Sequence, residues 1–373
     1  MDFGFGEEQQ TLAELAAQIF GGYGDIDRIK AIEASEDRVD RELWRELAQT
    51  NLLGIPLPES AGGSGFGVVE AAILLEAQGA NVSPVPLWPT LLAAMAIAEH
   101  GGDALQSALL PGVVTGETML TVALSDAGSG DPLLPSVAAT PDADGWRLDG
   151  TKLAVPSAHV ASAIVVTAVA RDGLGVFVVD ASAPGVTIEP GEATNRELDA
   201  VVTFDGVTVL SSSVLGAVGS EGRRVTRWVA DRAMVFLCAL QVGVGEEAVR
   251  QAADYTSNRE QFGRPLSTNQ GVAMEVADAF IAVESMRVTL WQAAWRLAEG
   301  LDASKEVLVA KWWASQGARR ALHLTQHVHG GIGVDVDYPF HRYFLWSKQL
   351  EVMLGGPSIQ LARLGREIAG ASA

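Results

Sequence analysis

The nine residues Asn258-Arg-Glu-Gln-Phe-Gly-Arg-Pro-Leu266 follow a predicted helix and end it. Before them, apolar residues recur at intervals of three or four, which places them on one helix face: Leu237, Leu240, Val244, Ala248, Ala252 and Tyr255. Gly263 and Pro265 then stop the helix. Arg259 and Phe262 are predicted on its last turn, where a fixed cation beside a flat apolar ring suits a phosphate joined to an aromatic ring system. Spacing alone leaves a second interpretation open, in which Arg259 compensates the helix dipole and Phe262 packs in a core.

The composition is that of an acidic globular protein. The 373 residues are 48% hydrophobic and 19% charged, which is enough for two or three domains with large cores. The net charge of −20 argues against binding to nucleic acid or to anionic membrane surfaces. The single cysteine, Cys238, lies in an apolar helical run, so we expect a buried, inert thiol and no disulfide within the chain.

Targeting signals are not expected in this chain. The start has neither a basic segment nor an apolar segment of the secretory type, and Pro, Gly or charge interrupts every apolar run. We therefore expect a cytoplasmic protein. An anionic ligand would need local positive charge, and six arginines lie close together in sequence: Arg223, Arg224, Arg227, Arg232, Arg259 and Arg264.

Changes in hydrophobic period divide the chain into three predicted domains. Residues 1–117 and 223–373 show helical spacing, whereas 118–222 contain short β-branched runs separated by Asp-Gly and Pro-Gly turns. The fold class is therefore α+β, with a central antiparallel β domain between two helical domains in sequence. In the last domain, an apolar residue recurs about every 3.5 positions from Val272 to Leu297, which predicts one long helix with a buried face in a four-helix bundle.

Four of the six histidines lie between 323 and 341 and invite a metal interpretation. His323 and His327 are four apart and share a helix face, but no glutamate base stands between them. No carboxylate or thiol stands nearby at a usual ligand spacing, and Asp335 and Asp337 suit a turn. We expect no metal site here.

Taken together, the run Arg259–Pro265 and the helix, strand, helix order resemble acyl-CoA dehydrogenases. The resemblance implies FAD as cofactor, with Arg259 reaching the pyrophosphate of the FAD in a neighbouring subunit and Phe262 beside the same flavin. The segment His327-Val-His-Gly-Gly-Ile-Gly333 resembles the family's Gln-x-x-Gly-Gly-x-Gly loop. In that loop Gly330 and Gly331 would approach the adenine side of the cofactor, while His327 occupies the glutamine position and would make the contact pH-sensitive.

The resemblance fails where the family places its catalytic base. The family's glutamate stands in a turn after the last long helix, and the corresponding position here is Gly355. A minority of members place it on the helix before the arginine motif, near Ala233 in this chain. Asp231 and Glu351 lie close to these positions, but each is expected to be a solvated or paired surface acid.

The segments that face the flavin in the family also differ. Ala154 and Pro156 replace an aromatic residue and a threonine, and Ala123–Gly130 only partly matches the family's flavin loop. The matching motifs thus belong to the half of the site that acts on a neighbour's flavin, and the lost ones to the half that holds a chain's own flavin and substrate.

The pattern therefore resembles the non-catalytic subunits of actinobacterial heterotetrameric (α2β2) acyl-CoA dehydrogenases that act on CoA esters of steroid side chains. It implies a homologous catalytic partner subunit with the acyl-CoA substrate at the partner's site. Two alternatives stay open. One is a catalytically dead, homo-oligomeric acyl-CoA or flavin-binding protein, and the other is an autonomous dehydrogenase that uses Asp231 or Glu351 as its base.

Overall fold

Residues 4–370 are described by a computed structural model. Its N-terminal region is helical, as the sequence predicts: α1 (Glu7–Gly22), α2 (Ile26–Glu33), α3 (Arg41–Gln49), α4 (Val68–Ala80), α5 (Leu87–His100) and α6 (Asp103–Val114). Local chemistry sets these boundaries. Asp40, for example, caps α3 because its carboxylate accepts hydrogen bonds from the backbone N–H groups of Glu42 and Leu43.

The middle region forms one seven-stranded sheet: β1 (Leu120–Ala123), β2 (Ala138–Asp142), β3 (Gly145–Pro156), β4 (Ala163–Ala170), β5 (Gly173–Asp180), β6 (Val186–Glu192) and β7 (Leu198–Leu210). The strand order is β1-β4-β2-β3-β7-β6, with β5 also paired to β4. Most pairings are antiparallel, but β1 runs parallel to β4 and β2 meets β4 at a single parallel position. The inward side chains pack into one apolar core around Phe177, Val202 and Phe204.

The C-terminal region is helical apart from one two-stranded hairpin: α7 (Ser220–Asn258), β8 (Glu260–Gln261), β9 (Arg264–Pro265), α8 (Gln270–Ala298), α9 (Ser304–His329), α10 (Phe340–Val352) and α11 (Pro357–Ile368). The sequence predicted helix throughout this region. The hairpin escaped prediction because strands of two residues are too short to show an alternating period.

Chain packing separates two compact units. One comprises residues up to Lys30, Ala72–Ser83 and the chain from Met234 onward, and the other comprises Ala31–Ala71 and Pro84–Ala233. In the first unit α4 and α7 approach very closely. A Cβ at Gly79 would lie 2.1 Å from the Leu240 carbonyl oxygen, and one at Gly243 would lie 2.0 Å from that of Glu76. Only glycine permits this helix contact.

Helix α7 combines great length with an apolar composition. Within residues 4–370 it alone is long and apolar enough to span a membrane, and 89% of its apolar window is buried in the protein. Cys238 lies on this helix and is buried, as predicted, and burial raises the pKa of its thiol to about 12. The thiol therefore stays protonated.

Helix α8 carries two apolar faces. The predicted stripe is buried within the chain around Ala279, Val283, Met286 and Leu290. The second face is exposed and was not predicted, because apolar residues on both sides of a helix obscure the period of either.

Candidate functional site

The end of α7 and the following hairpin present the two residues of the deciding stretch. Arg259 comes directly after the helix, and its backbone N–H donates to the Tyr255 carbonyl at 2.8 Å. Phe262 lies further on, at the hairpin turn, rather than on the last helical turn as predicted. Both turn residues, Phe262 (φ 57°) and Gly263 (φ 75°), have positive φ, the geometry of a tight hairpin turn.

Phe262 is unusual because it is strained and exposed at once. A non-glycine residue in the left-handed region costs roughly 1–2 kcal/mol, and Phe262 as a residue is 94% exposed. The interpretation in which Phe262 packs in a core of its own chain is therefore wrong. Strain and an exposed aromatic ring together mark a position that is shaped by something outside the chain's own packing.

Arg259 lines a cleft of about 540 Å³ on the same unit. The lining residues are Arg250, Gln251, Asp254, Tyr255, Asn258, Arg259, Tyr338 and Pro339. The two arginines differ in charge balance. Arg250 is neutralised by Glu247 and Asp254, each at 2.6 Å, whereas the exposed Arg259 side chain forms no ion pair with any residue between 4 and 370. The cleft thus offers one uncompensated guanidinium to an anion.

The glycine loop begins where α9 ends and continues as a short 3-10 turn over Gly330–Val334. Gly330 has φ 64° and ψ −144°, a conformation open mainly to glycine. A Cβ at Gly331 would meet no described atom within 4 Å, and both glycines are exposed. Packing within the described chain therefore does not explain why residue 331 is a glycine. An exposed backbone without side chains does suit close approach by a ligand.

His329 connects this loop to the cleft. Its buried ring lies between Tyr255 (4.8 Å between centroids) and Phe340 (4.2 Å), and its Nδ1 bonds to the Thr325 carbonyl at 2.7 Å. Its Nε2 is also buried and has no hydrogen-bond partner in residues 4–370. Burial lowers the pKa of this imidazole, which keeps it neutral.

The other three histidines between 323 and 341 are close in sequence but have different surroundings in the structure. His327 is exposed and its Nδ1 lies 2.8 Å from the Glu275 carboxylate, so the position that replaces the family's glutamine contacts α8. His323 packs edge-on against Phe344, and His341 bonds to the Tyr338 carbonyl. Within the described chain, no group of three His, Cys, Asp or Glu side chains is arranged to hold a metal ion.

The turn that contains Gly355 is closed by hydrogen bonds. Leu354 (φ 54°) and Gly355 (φ 96°) are both buried, and the Gln360 amide donates to their carbonyl oxygens at 2.8 and 2.9 Å. The buried Lys311 ammonium donates to the Leu350 carbonyl at 2.8 Å and so caps the end of α10. Burial lowers the pKa of Lys311 to about 8. The turn is buried and has a glycine, Gly355, at the position where the resemblance implies the family's base.

Neither nearby acid stands free as a base. Glu351 is held by Lys348 at 2.9 Å and its side chain is only 12% exposed. Asp231 is half-buried beside Arg232, whose guanidinium lies 3.8 Å from the centre of the Trp228 ring. Ala233 is fully buried on α7.

The segments of the sheet that correspond to the family's flavin-facing ones differ in exposure. Ala154 (φ 46°) is exposed at a bulge between β3 and β7, and Pro156 is buried. Inside, the Lys152 ammonium donates to Asp126 at 2.6 Å and to Thr167 at 3.0 Å. Sequence reasoning missed this buried ion pair. Its one signal was a lysine on an otherwise apolar inward side of a strand.

Two further acids in this unit were also missed. Burial, with repulsion from Asp199, raises the pKa of Glu197 to about 8, although the Asn195 amide donates to it. Burial raises the pKa of Asp199 to about 6, and Asp199 pairs with Pro156 in the β3–β7 register. Near neutral pH the Glu197 carboxyl therefore holds a proton that an exposed acid would lose, and Asp199 loses its proton at a higher pH than an exposed aspartate does.

Profiles of three protein-family domains match the chain in order. These are "Acyl-CoA dehydrogenase, N-terminal domain" over residues 6–117, "middle domain" over 121–206 and "C-terminal domain" over 220–369. The chain belongs to the acyl-CoA dehydrogenase family. Members are FAD-binding oxidoreductases, and the predicted order of helical, β and helical regions is confirmed.

The relatives include proteins from two-subunit complexes. "Acyl-CoA dehydrogenase FadE27" of Mycobacterium tuberculosis (strain ATCC 25618 / H37Rv) is 38% identical, with 99% of each chain covered. A chain of a solved variant of the "Tcur3481-Tcur3483 steroid ACAD" is 50% identical, with a TM-score of 0.92 and 98% of this chain and 99% of that chain covered. A chain of the "ChsE4-ChsE5 complex from Mycobacterium tuberculosis" is 38% identical, with a TM-score of 0.93 and full coverage of both chains.

Proposed function

We propose that this chain is the non-catalytic subunit of a heteromeric acyl-CoA dehydrogenase, in which it completes the FAD site of a homologous catalytic partner. The reaction is the α,β-dehydrogenation of an acyl-CoA thioester. The observation that carries the proposal is the contrast between an open cofactor side and a closed base turn. Arg259, Phe262 and the Gly330-Gly331 loop are not accounted for by contacts within residues 4–370, whereas the turn at Gly355 is buried, is held by Gln360 at two carbonyl oxygens and has no carboxylate at Gly355.

The backbone conformation at Gly355 disfavours a glutamate, or any other L residue, at this position. With φ 96° and a buried position, the residue is in a region that L side chains rarely adopt. A glutamate there would have to strain or rebuild a turn that Gln360 holds at two carbonyl oxygens. The turn is therefore built for glycine.

The residues of the open side fit the groups of FAD. The Arg259 guanidinium would donate to pyrophosphate oxygens, the Phe262 ring would lie beside the flavin, and the backbone at Gly330 and Gly331 would admit the adenosine part. When bound, FAD supplies the hydride acceptor. The α proton of the substrate then needs a carboxylate within reach, and we assign that carboxylate to the partner subunit.

The relatives support the proposed partner and substrate class. The solved relatives include the ChsE4-ChsE5 complex and a protein described as a steroid ACAD, which supports an α2β2 assembly and a steroid-derived acyl-CoA. We propose a cytoplasmic location for this assembly.

The turnover rate of the assembled complex tests whether the catalytic base lies on this chain or on the partner subunit. Asp231→Asn and Glu351→Gln, made singly in this chain, should leave kcat within about threefold, whereas loss of a general base costs about 10²-fold or more. The matched control is Glu→Gln at the glutamate of the co-expressed partner, which should abolish turnover. Collapse of turnover in either variant of this chain, with flavin content and assembly intact, would make it catalytic and support the autonomous alternative.

A further inference from the structure

His329 lies where the elements of the cofactor side meet. Its imidazole is buried and stacks on Tyr255 of α7, with 21° between the two ring planes. The same imidazole lies 5.7 Å from the centre of the Tyr338 ring. Both tyrosines line the cleft that contains Arg259. The buried ring therefore supports two residues of the cleft wall.

One hydrogen bond fixes the orientation of this imidazole. Its Nδ1 lies 2.7 Å from the Thr325 carbonyl oxygen, which can only accept, so Nδ1 carries the proton. Burial lowers the pKa of the ring and keeps it neutral, so Nε2 has a lone pair but no donor within residues 4–370. A phenylalanine would fill this space without an unpaired buried acceptor, so packing does not explain the histidine. The bond from Nδ1 does explain it, because this bond sets the rotation of the ring.

The same ring connects the two segments that the proposed function assigns to FAD. On one side, the Tyr255 carbonyl accepts the backbone hydrogen bond of Arg259 at 2.8 Å. On the other side, the bond to Thr325 ties the ring to the last turn of α9, and Gly330 follows directly. A ligand that contacts both segments binds well only when their spacing is already correct before it arrives. A fixed ring between the segments provides that spacing.

We propose that His329 is a positioning residue of the cofactor site. Its neutral imidazole, protonated at Nδ1, holds the end of α7 with Arg259 at a set distance from the glycine loop at the end of α9. The inference rests on the proposed function and adds to it a buried residue that acts through its neighbours.

FAD retention by the co-expressed hetero-complex tests the role of the ring. His329→Ala should lower retention roughly tenfold, because side chains in contact couple by about a decade in affinity. His329→Phe keeps the stacked ring and loses the bond to Thr325. It should restore the melting temperature of the complex, while its FAD retention stays about threefold below that of the unmodified complex. A residue that only fills space would recover both quantities in His329→Phe.

Two further measurements separate positioning from chemistry and from general damage. The turnover rate at saturating FAD should be unchanged in both variants, since only the affinity for the cofactor is altered. In the double variant Arg259→Ala/His329→Ala, the loss of retention should be smaller than the product of the two single losses, because His329 acts in part by placing Arg259.

His100→Ala is the matched control. His100 is a half-buried histidine of the other compact unit that packs edge-on against Trp228, with 5.0 Å between ring centres. Its Nε2 is also buried without a hydrogen-bond partner in residues 4–370, and burial lowers its pKa as well. Loss of this imidazole should leave FAD retention unchanged.

The possible results distinguish a failure of this inference from a failure of the proposed function. Full retention in both His329 variants, with the expected loss in Arg259→Ala, would overturn the positioning role and leave the proposed function standing. Losses that multiply in the double variant would show that His329 acts independently of Arg259 and would also overturn it. Full retention in Arg259→Ala would contradict the proposed function and the inference with it. Should His329→Ala fail to assemble, the same cycle with His329→Phe decides, and full retention in that variant overturns the inference.

Discussion

The cofactor side and the base turn lie in the same compact unit, are both made of glycine-containing loops, and differ in how their polar groups are satisfied. On the cofactor side, Arg259 has no ion-pair partner in residues 4–370 and Phe262 is strained and exposed. At the base turn, the carbonyl oxygens of Leu354 and Gly355 are bonded to Gln360 and the chain is buried. An exposed cation without an ion pair and a strained, exposed ring indicate an external partner, whereas a buried turn held by side-chain hydrogen bonds indicates a structural role. In the proposed function, the first of these regions contacts FAD and the second supplies no catalytic base.

The largest effect should come from replacing Arg259, whose guanidinium forms no ion pair within residues 4–370. Arg259→Ala should weaken FAD retention in the hetero-complex by one to two decades, because a charge-assisted hydrogen bond contributes about 1.5–3 kcal/mol. Arg259→Lys should recover only part of the loss, since the planar fork is gone. Flavin occupancy after dilution and gel filtration measures both variants.

Arg264→Ala is the matched control for this experiment. The Arg264 guanidinium already donates to Asn269 at 2.6 Å, so its loss should leave FAD retention nearly unchanged. Equal retention in Arg259→Ala and in the unmodified chain would remove Arg259 from the cofactor site.

Two adjacent glycines test the base turn. Gly355→Ala should lower the free energy of unfolding by about 1–2 kcal/mol, the cost of forcing an L side chain to positive φ. Gly356→Ala should cost much less, because Gly356 has φ −74° and a Cβ there would lie 3.9 Å from the Glu351 carbonyl. Denaturant unfolding of both variants gives the difference. Equal stability would mean that the turn is not built for glycine and that a glutamate fits there.

A smaller effect on stability, visible only when the pH is varied, is expected at Glu197 in the middle region. The folded-state pKa of Glu197 is raised to about 8 from an ordinary value near 4.5 by burial. The contribution of the Glu197 carboxyl to folding stability is therefore fully present below about pH 4.5, and it is lost as the pH rises towards 8. Glu197→Gln should remove this loss of stability at high pH. The melting temperature of the variant, relative to the unmodified chain, should therefore rise more at pH 8 than at pH 5. An equal change at both values would show that Glu197 does not titrate in this range.

Much of the fold followed from local patterns. The strand regions around Ala163–Ala168 and Val176–Val179, the long helix α8 and the buried Cys238 could be predicted, since period and composition fix them. Contacts between distant residues could not. Lys152 and Asp126 are 26 positions apart, and nothing in either segment alone shows that a strand and a loop bring them together.

The candidate site was predictable in identity but not in geometry. The sequence picked out Arg259, Phe262, Gly330 and Gly331 through a resemblance, and their roles stay predictions. It placed Phe262 on a helix because Gly263 and Pro265 were taken only as a stop signal, whereas they also form a hairpin. Which groups are left unsatisfied could be learned only from the three-dimensional arrangement.

Flavin stoichiometry and mass, measured on the purified chain alone and after co-expression with a glutamate-bearing homologue, test the central claim most directly. The chain alone should retain little FAD, because it offers only one half of the site. The co-purified complex should carry one FAD per heteromeric pair and turn over acyl-CoA. A yellow homotetramer of this chain alone, with one FAD per subunit and turnover of its own, would contradict the account.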